Sequence, residues 1–143
     1  MKPLIAILII LGVVFGFYQL MLRGIQLIHV ADFYDTKARV LINTYDTDAF
    51  DQIATAEFGS FITDDNGAYL SGLKAQYSAV TTNGYPKVFT LKNIFAQEYE
   101  PIVITEKIEF DFAKATVIMR FVNSVTDRKI WLLDSYTINK LEL

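Results

Sequence analysis

Six acidic residues, Asp46, Asp48, Asp51, Glu57, Asp64 and Asp65, stand between Arg39 and Lys74 with no lysine or arginine among them. Carboxylates at that density can bind a cation, move protons or present a charged face, and their spacing separates these uses. The stretch from Asp46 to Glu57 imitates a twelve-residue calcium loop. Its fifth place, however, holds Phe50 where an oxygen ligand belongs, and its sixth holds Asp51 where the turn needs glycine. Helix capping explains the same residues, so no metal site is expected. What remains is a local charge of −6 (six acids, no bases) in a chain of net charge −3. Such a patch solvates a helical face or docks a basic protein partner, and these six residues are the candidate partner-binding set. It repels nucleic acid, so none is expected as a partner.

Other chemistry has little to work with. His29 is the only histidine, lies six residues after Arg23, and cannot build a histidine-rich metal site. There is no cysteine, hence no thiol nucleophile, zinc ribbon or lipid-modified cysteine. No nucleophile elbow, phosphate loop or dinucleotide fingerprint occurs. No catalytic, metal or cofactor residue is therefore assigned.

The elements that would position the acidic stretch begin in the bilayer. Residues 3–22, PLIAILIILGVVFGFYQLML, form one uncharged apolar run between Lys2 and Arg23. As a helix it reaches about 30 Å, the thickness of a hydrocarbon core, which makes the lipid bilayer the first partner. It continues past the passable cleavage site at Val14-Phe15-Gly16, which favours a retained anchor over a cleaved leader. Residues 1–24 are read as a transmembrane anchor and 25–143 as one α+β domain. Lys2 precedes the span, while Arg23, Lys37 and Arg39 follow it, a count that formally places the domain inside. The short basic tail resembles a signal-anchor start, and the expectation adopted is a plasma-membrane protein with its domain extracytoplasmic. Gly12 and Gly16 form GxxxG with Gly24 on nearly the same face, a candidate helix-packing surface in the membrane.

Beyond the span no proline or glycine interrupts Ile25 to Ile42, and Leu27, Ala31, Tyr34, Ala38 and Leu41 recur at helical spacing. Thr47 or Asp46 caps a second helix with Phe50, Ile53, Ala54 and Phe58 on its face. Asp64-Asp65-Asn66-Gly67 is a turn, and Ala68 to Ala79 a third helix. The period then falls to two. Val88, Phe89 and Leu91 start a strand. Ile102, Ile104, Ile108, Phe110 and Phe112 share the buried face of the next, opposite Glu109 and Asp111, and Ala115, Val117, Met119 and Phe121 continue in a third. In the last strand, Lys129 to Leu141, Trp131 and Leu133 take one parity; Ile130, Leu132, Asp134, Tyr136 and Ile138 take the other. Helices followed by an antiparallel meander predict an α+β fold, the helices packed on one face of a curved sheet.

This order resembles the nuclear transport factor 2-like (cystatin-like) superfamily. The likeness rests on Phe33-Tyr34 in the long helix, DTDAFDQIATAEF after it, and KIWLLDSYTI with Trp131 just past a hairpin. The resemblance implies a long helix and two short ones wrapped by a strongly curved sheet, enclosing a cone. Enzymes of that superfamily place an acidic base, or a His–Asp pair, with a tyrosine in the cone; here Asp134 is the strand carboxylate with the parity for it. Members with a membrane helix include assembly components of bacterial secretion machines. The expectation is a non-catalytic, membrane-tethered interaction or assembly module of a larger membrane complex. The alternatives are a pilin-like filament subunit, and an apolar-ligand binder or enzyme using a cone lined by Phe33, Phe110, Phe121 and Trp131.

Overall fold

The computed structural model describes residues 2–141. Its first element, α1 (Lys2–Phe33), runs without a break through a π-helical turn at Tyr34–Ala38 and a short α2 (Leu41–Thr44). The helical run is 43 residues long and its most apolar window is wholly unburied. One half is bare: Leu4 to Leu20 present apolar side chains to the outside all round the helix. The other half is core. Burial starts at Arg23, two residues ahead of the expected domain boundary, and continues through Leu27, Val30, Tyr34, Ala38, Leu41 and Ile42. Val30 takes the place expected for Ala31, which is only half-buried. The run stops at Tyr45, whose left-handed backbone (φ 52°) lets its N–H close on the Leu41 carbonyl.

Three short helices follow. Asp46, rather than Thr47, caps α3 (Thr47–Ile53), its carboxylate accepting from the Asp48 and Ala49 amides. Thr55 caps α4 (Ala56–Thr63) in the same way through the Phe58 amide, so the expected single helix face is split by a break at Ala54. Asp65, Asn66 and Gly67 then take positive φ in succession (48°, 57° and 78°) before α5 (Ala68–Tyr77). Asn and Asp tolerate that region and Gly favours it, which is why this tetrapeptide reverses the chain.

The sheet is a four-stranded antiparallel meander, ordered β1 (Val80–Thr82), β2 (Ile102–Phe110), β3 (Lys114–Asn123), β4 (Trp131–Lys140), and it is not closed. The helices pack on its inner face. Two sequence expectations fail here. The segment expected as a strand from Val88 contributes only a single bridge, Lys87 to Thr105; Leu91–Ile94 is instead a short helix, α6, capped by Thr90. Phe112, expected inside, lies in the β2–β3 turn and is exposed.

The parity of the last strand is also corrected. Arg120 faces Ser135, whereas Phe121 faces Leu133, leaving Asp134 as an extra residue between them. A bulge reverses the inside–outside alternation on one side of it. Trp131 and Leu133 before it, and Tyr136 and Ile138 after it, therefore all reach the core. Aromatic side chains occupy the space between helices and sheet: Phe121 meets Phe33 and Tyr34 edge-on, at 5.7 and 6.4 Å, and Phe50 stacks on Tyr136 at 5.1 Å. Trp131, at 6% exposure, closes this core where β4 begins. Replacing it with alanine should cost ~3–5 kcal/mol, read as a lower urea midpoint; an unchanged midpoint would mean that the strand does not pack this way.

Candidate functional site: the helix–domain junction, a buried carboxylate and the acidic face

Where the bare half of α1 meets the domain, a cation is buried. Arg23 is 1% exposed, and its guanidinium donates to three backbone carbonyls, through Nε to Asn93 (2.7 Å), Nη1 to Glu100 (2.9 Å) and Nη2 to Pro101 (3.2 Å). One helical turn on, buried Gln26 accepts from the Tyr99 amide. A guanidinium has donors and no acceptor, so carbonyls are its natural partners. The opposite wall is equally defined. The Asn93 side chain donates from Nδ2 to the Val88 and Val103 carbonyls (both 2.8 Å) and accepts from the Val103 amide, tying α6 to the start of β2. α1, α6 and the sheet are thereby bolted together at one point. Sequence reading treated Arg23 as a flanking charge; partners 70 to 78 residues away leave no local signal.

A second buried charge lies further along the same helix. The Glu106 side chain has no exposed surface. It accepts from the Tyr34 hydroxyl at 3.0 Å and pairs with Arg39. Arg39 also donates to the Gly84 carbonyl (2.9 Å) and to Asp35 (3.2 Å). Tyr34 and Arg39 are five residues apart, and the π-helical turn, closed by the Arg39 amide on the Tyr34 carbonyl, brings both to the same carboxylate. Gly84 must be glycine for this contact, since a Cβ there would run into the Lys107 backbone carbonyl. Burial pushes the Glu106 carboxyl above the ordinary carboxylate value, against the pull of the Tyr34 hydroxyl and Arg39. Burial and the Glu106 charge also push the Tyr34 hydroxyl up, which keeps it a donor. A carboxylate with no exposed atom braces the helix on the sheet. It was missed because Ile102, Ile104, Ile108 and Phe110 dominate its strand; the legible signal was a carboxylate at the one polar place in that apolar parity.

All six predicted acidic residues are exposed, and the fold gathers the helices that carry them. The Asp51 carboxylate lies against Gly59, joining α3 to α4, and Thr47 lies against Gly67, joining α3 to the turn that carries Asp64 and Asp65. Part of the set has local work. Asp46 caps α3, Asp48 and Glu57 sit in the first turns of α3 and α4, and Asp64 accepts from the Asp65 amide. Among the described residues none of the six enters an ion pair.

The remaining candidates separate. Asp134 does not face the core: as the bulge residue it pairs with Arg120 at 2.9 Å and accepts from Thr55 at 3.2 Å, pinning the α3–α4 junction to the sheet edge. His29 is exposed on α1. At Gly12, Gly16 and Gly24 an added Cβ would meet nothing within 4 Å, although Gly24 is half-buried where α1 enters the domain. Comparison of the chain with protein families, curated proteins and solved structures finds no match.

The raised Glu106 carboxyl has a signed consequence. A group that holds its proton more tightly when folded stabilises the fold most at low pH, and that contribution is lost as pH rises through the folded value. The stability of the parent minus that of Glu106→Gln should therefore fall as pH is raised above the ordinary carboxylate value, about 4, and level off once the folded carboxyl has titrated. Urea titrations of both chains across that range measure it; a difference that grows with pH would reverse the assignment.

Proposed function

We propose that this chain is a membrane-tethered, non-catalytic interaction module, a single-pass subunit or accessory of a larger membrane assembly. The observation that carries the reading is the continuity of α1, a bare apolar span that becomes the buried core helix of the domain without a linker. About twenty exposed apolar residues are costly in water and match the hydrocarbon core of a bilayer. The Arg23 clamp supports a domain held at one height and one angle above the membrane rather than swinging from a tether. A fixed orientation suits assembly, because it turns the same face toward a lateral neighbour. In this reading the acidic helical face is that surface, and its partner is a basic protein. The domain is proposed to lie outside the cytoplasm at the plasma membrane, Lys2 being read as the basic side of a signal-anchor against the count of Arg23, Lys37 and Arg39 beyond the run.

The nuclear transport factor 2-like resemblance belongs to the same proposal, supported by the order of long helix, short helices and antiparallel sheet. The ligand-binding alternative is disfavoured by the packing of Phe50, Tyr136, Phe121 and Tyr34 where a ligand would sit. Catalysis is disfavoured by the commitment of Glu106 to Arg39 and Tyr34.

Two measurements test this function. Intact-mass analysis of protein extracted from membranes should find residues 1–16 present; a mature chain starting at Phe17 would remove the tether. Changing Asp46, Asp48 and Asp51 to asparagine should leave the thermal melt nearly unchanged, since Asn caps helices as well as Asp and exposed charges stabilise little. The same triple change should weaken partner capture from gentle detergent, most at low salt where the lost attraction is least screened. Undiminished capture at every ionic strength would move the partner to another face.

A further inference from the structure

We propose that the segment from Phe89 to Glu98 is a second membrane contact, in which Leu91 and Phe95 enter the bilayer beside the span and a phospholipid acyl chain fills the cleft between Phe95 and the span. The inference rests on reading α1 as a membrane span. Its first support is exposure. Leu91 and Phe95 are 75% and 70% exposed, and Phe89 is bare as well, three large apolar side chains within seven residues. The segment is not loose. Thr90 caps α6, Asn93 is bonded to both Val88 and Val103, and the Asn93 carbonyl is held by Arg23. These side chains are thus held outward by a rigid backbone.

The second support is height. A cleft of about 600 Å³ lies between α1 and the residues from Ile94 on, with Phe15, Leu20, Ile94 and Phe95 among its walls and Gln19, Gln97 and the Glu98 carboxylate at its polar side. Phe15 to Leu20 precede Arg23 by three to eight residues, about 4–12 Å along the axis on the membrane side. If the apolar run occupies the hydrocarbon core, Phe95 and its neighbours share that depth. Apolar walls with two amides and a carboxylate beside them have the mixed character of the bilayer interface, Glu98 marking the headgroup side, and Lys92 has the reach to return its ammonium to the phosphates. The walls are continuous with the lipid-facing surface of the span, which selects lipid over a soluble ligand. Gly16 also lines the cleft, so the competing occupant is the span of a second copy.

The chain has no cysteine, so single-cysteine labels report one site each. Leu91→Cys, Phe95→Cys, Ile10→Cys and Asp64→Cys would each carry an environment-sensitive fluorophore on the full chain. They would be reconstituted in phosphatidylcholine vesicles with a nitroxide quencher placed shallow or deep in the acyl chains. The expected result is loss of fluorescence at positions 91 and 95 with the shallow quencher, at 10 with the deep one, and at 64 with neither. Quenching at 10 without quenching at 91 and 95 would overturn the proposal while leaving the span in place. No quenching at 10 would remove the span, and the proposal with it. Oxidative dimerisation of the unlabelled Phe95→Cys chain at high lipid-to-protein ratio would put a second copy at the cleft and overturn the lipid.

Discussion

Burying a guanidinium is costly unless its hydrogen bonds are replaced, and the junction of this protein is organised around that requirement at Arg23. Three carbonyls satisfy it, and they come from two places, the end of α6 and the residues leading into β2. Neither place can shift without stranding the charge. Because Arg23 sits where the apolar helix meets the domain, the same contact sets how the span enters the fold. A hydrophobic contact there would resist separation but would tolerate sliding; directional bonds to three fixed oxygens do not.

Further along α1 the principle repeats with opposite charge. Glu106 is carried into the core by the alternation of β2 and is compensated by Tyr34 and Arg39 from the helix. An α-helix places residues three and four apart on one face, not five. The π-helical turn supplies the missing register, at the cost of helical regularity. The bulge in β4 has the same logic: the extra residue, Asp134, leaves the ladder, pairs with Arg120 and holds Thr55, while the apolar residues on both sides keep facing inward. Each local irregularity here serves a long-range polar contact.

The acidic face and the membrane-proximal end divide the surface between them. The acids cluster on α3, α4 and the turn before α5, where most also satisfy helix termini. The bare apolar residues of the domain around α6 lie instead beside the span. Bare apolar residues also lie elsewhere, Phe61 on α4 and Tyr85, Phe112 and Val125 in loops, so it is the pairing of apolar side chains with the bare half of α1 that sets the α6 end apart.

Much of this was legible in the residues alone. Hydropathy over Pro3 to Leu22, the period of the α1 stripe, the Asp46 cap, the Asp64–Gly67 reversal and the alternation of β2 and β3 are local properties, and local sequence determined them. The misreadings share one cause. Val88 to Leu91 has strand-like composition, but α6 forms because Thr90 caps it and Asn93 is bonded to Val103, ten residues on. Phe112 continues the apolar parity of β2, yet the chain turns before reaching it. Parity across β4 fails at Asp134 because a bulge depends on the partner strand. Arg23 could not be told from a surface charge until residues some 70 positions away arrived to bond it, and the parity that turns Glu106 inward says nothing of the Tyr34 and Arg39 that compensate it. The sequence by itself determined a helix long and apolar enough to cross a membrane, the stripe that buries its second half and the faces of β2 and β3; only the tertiary structure decided how the buried charges are compensated, because their partners are brought within hydrogen-bond distance by the folded chain alone.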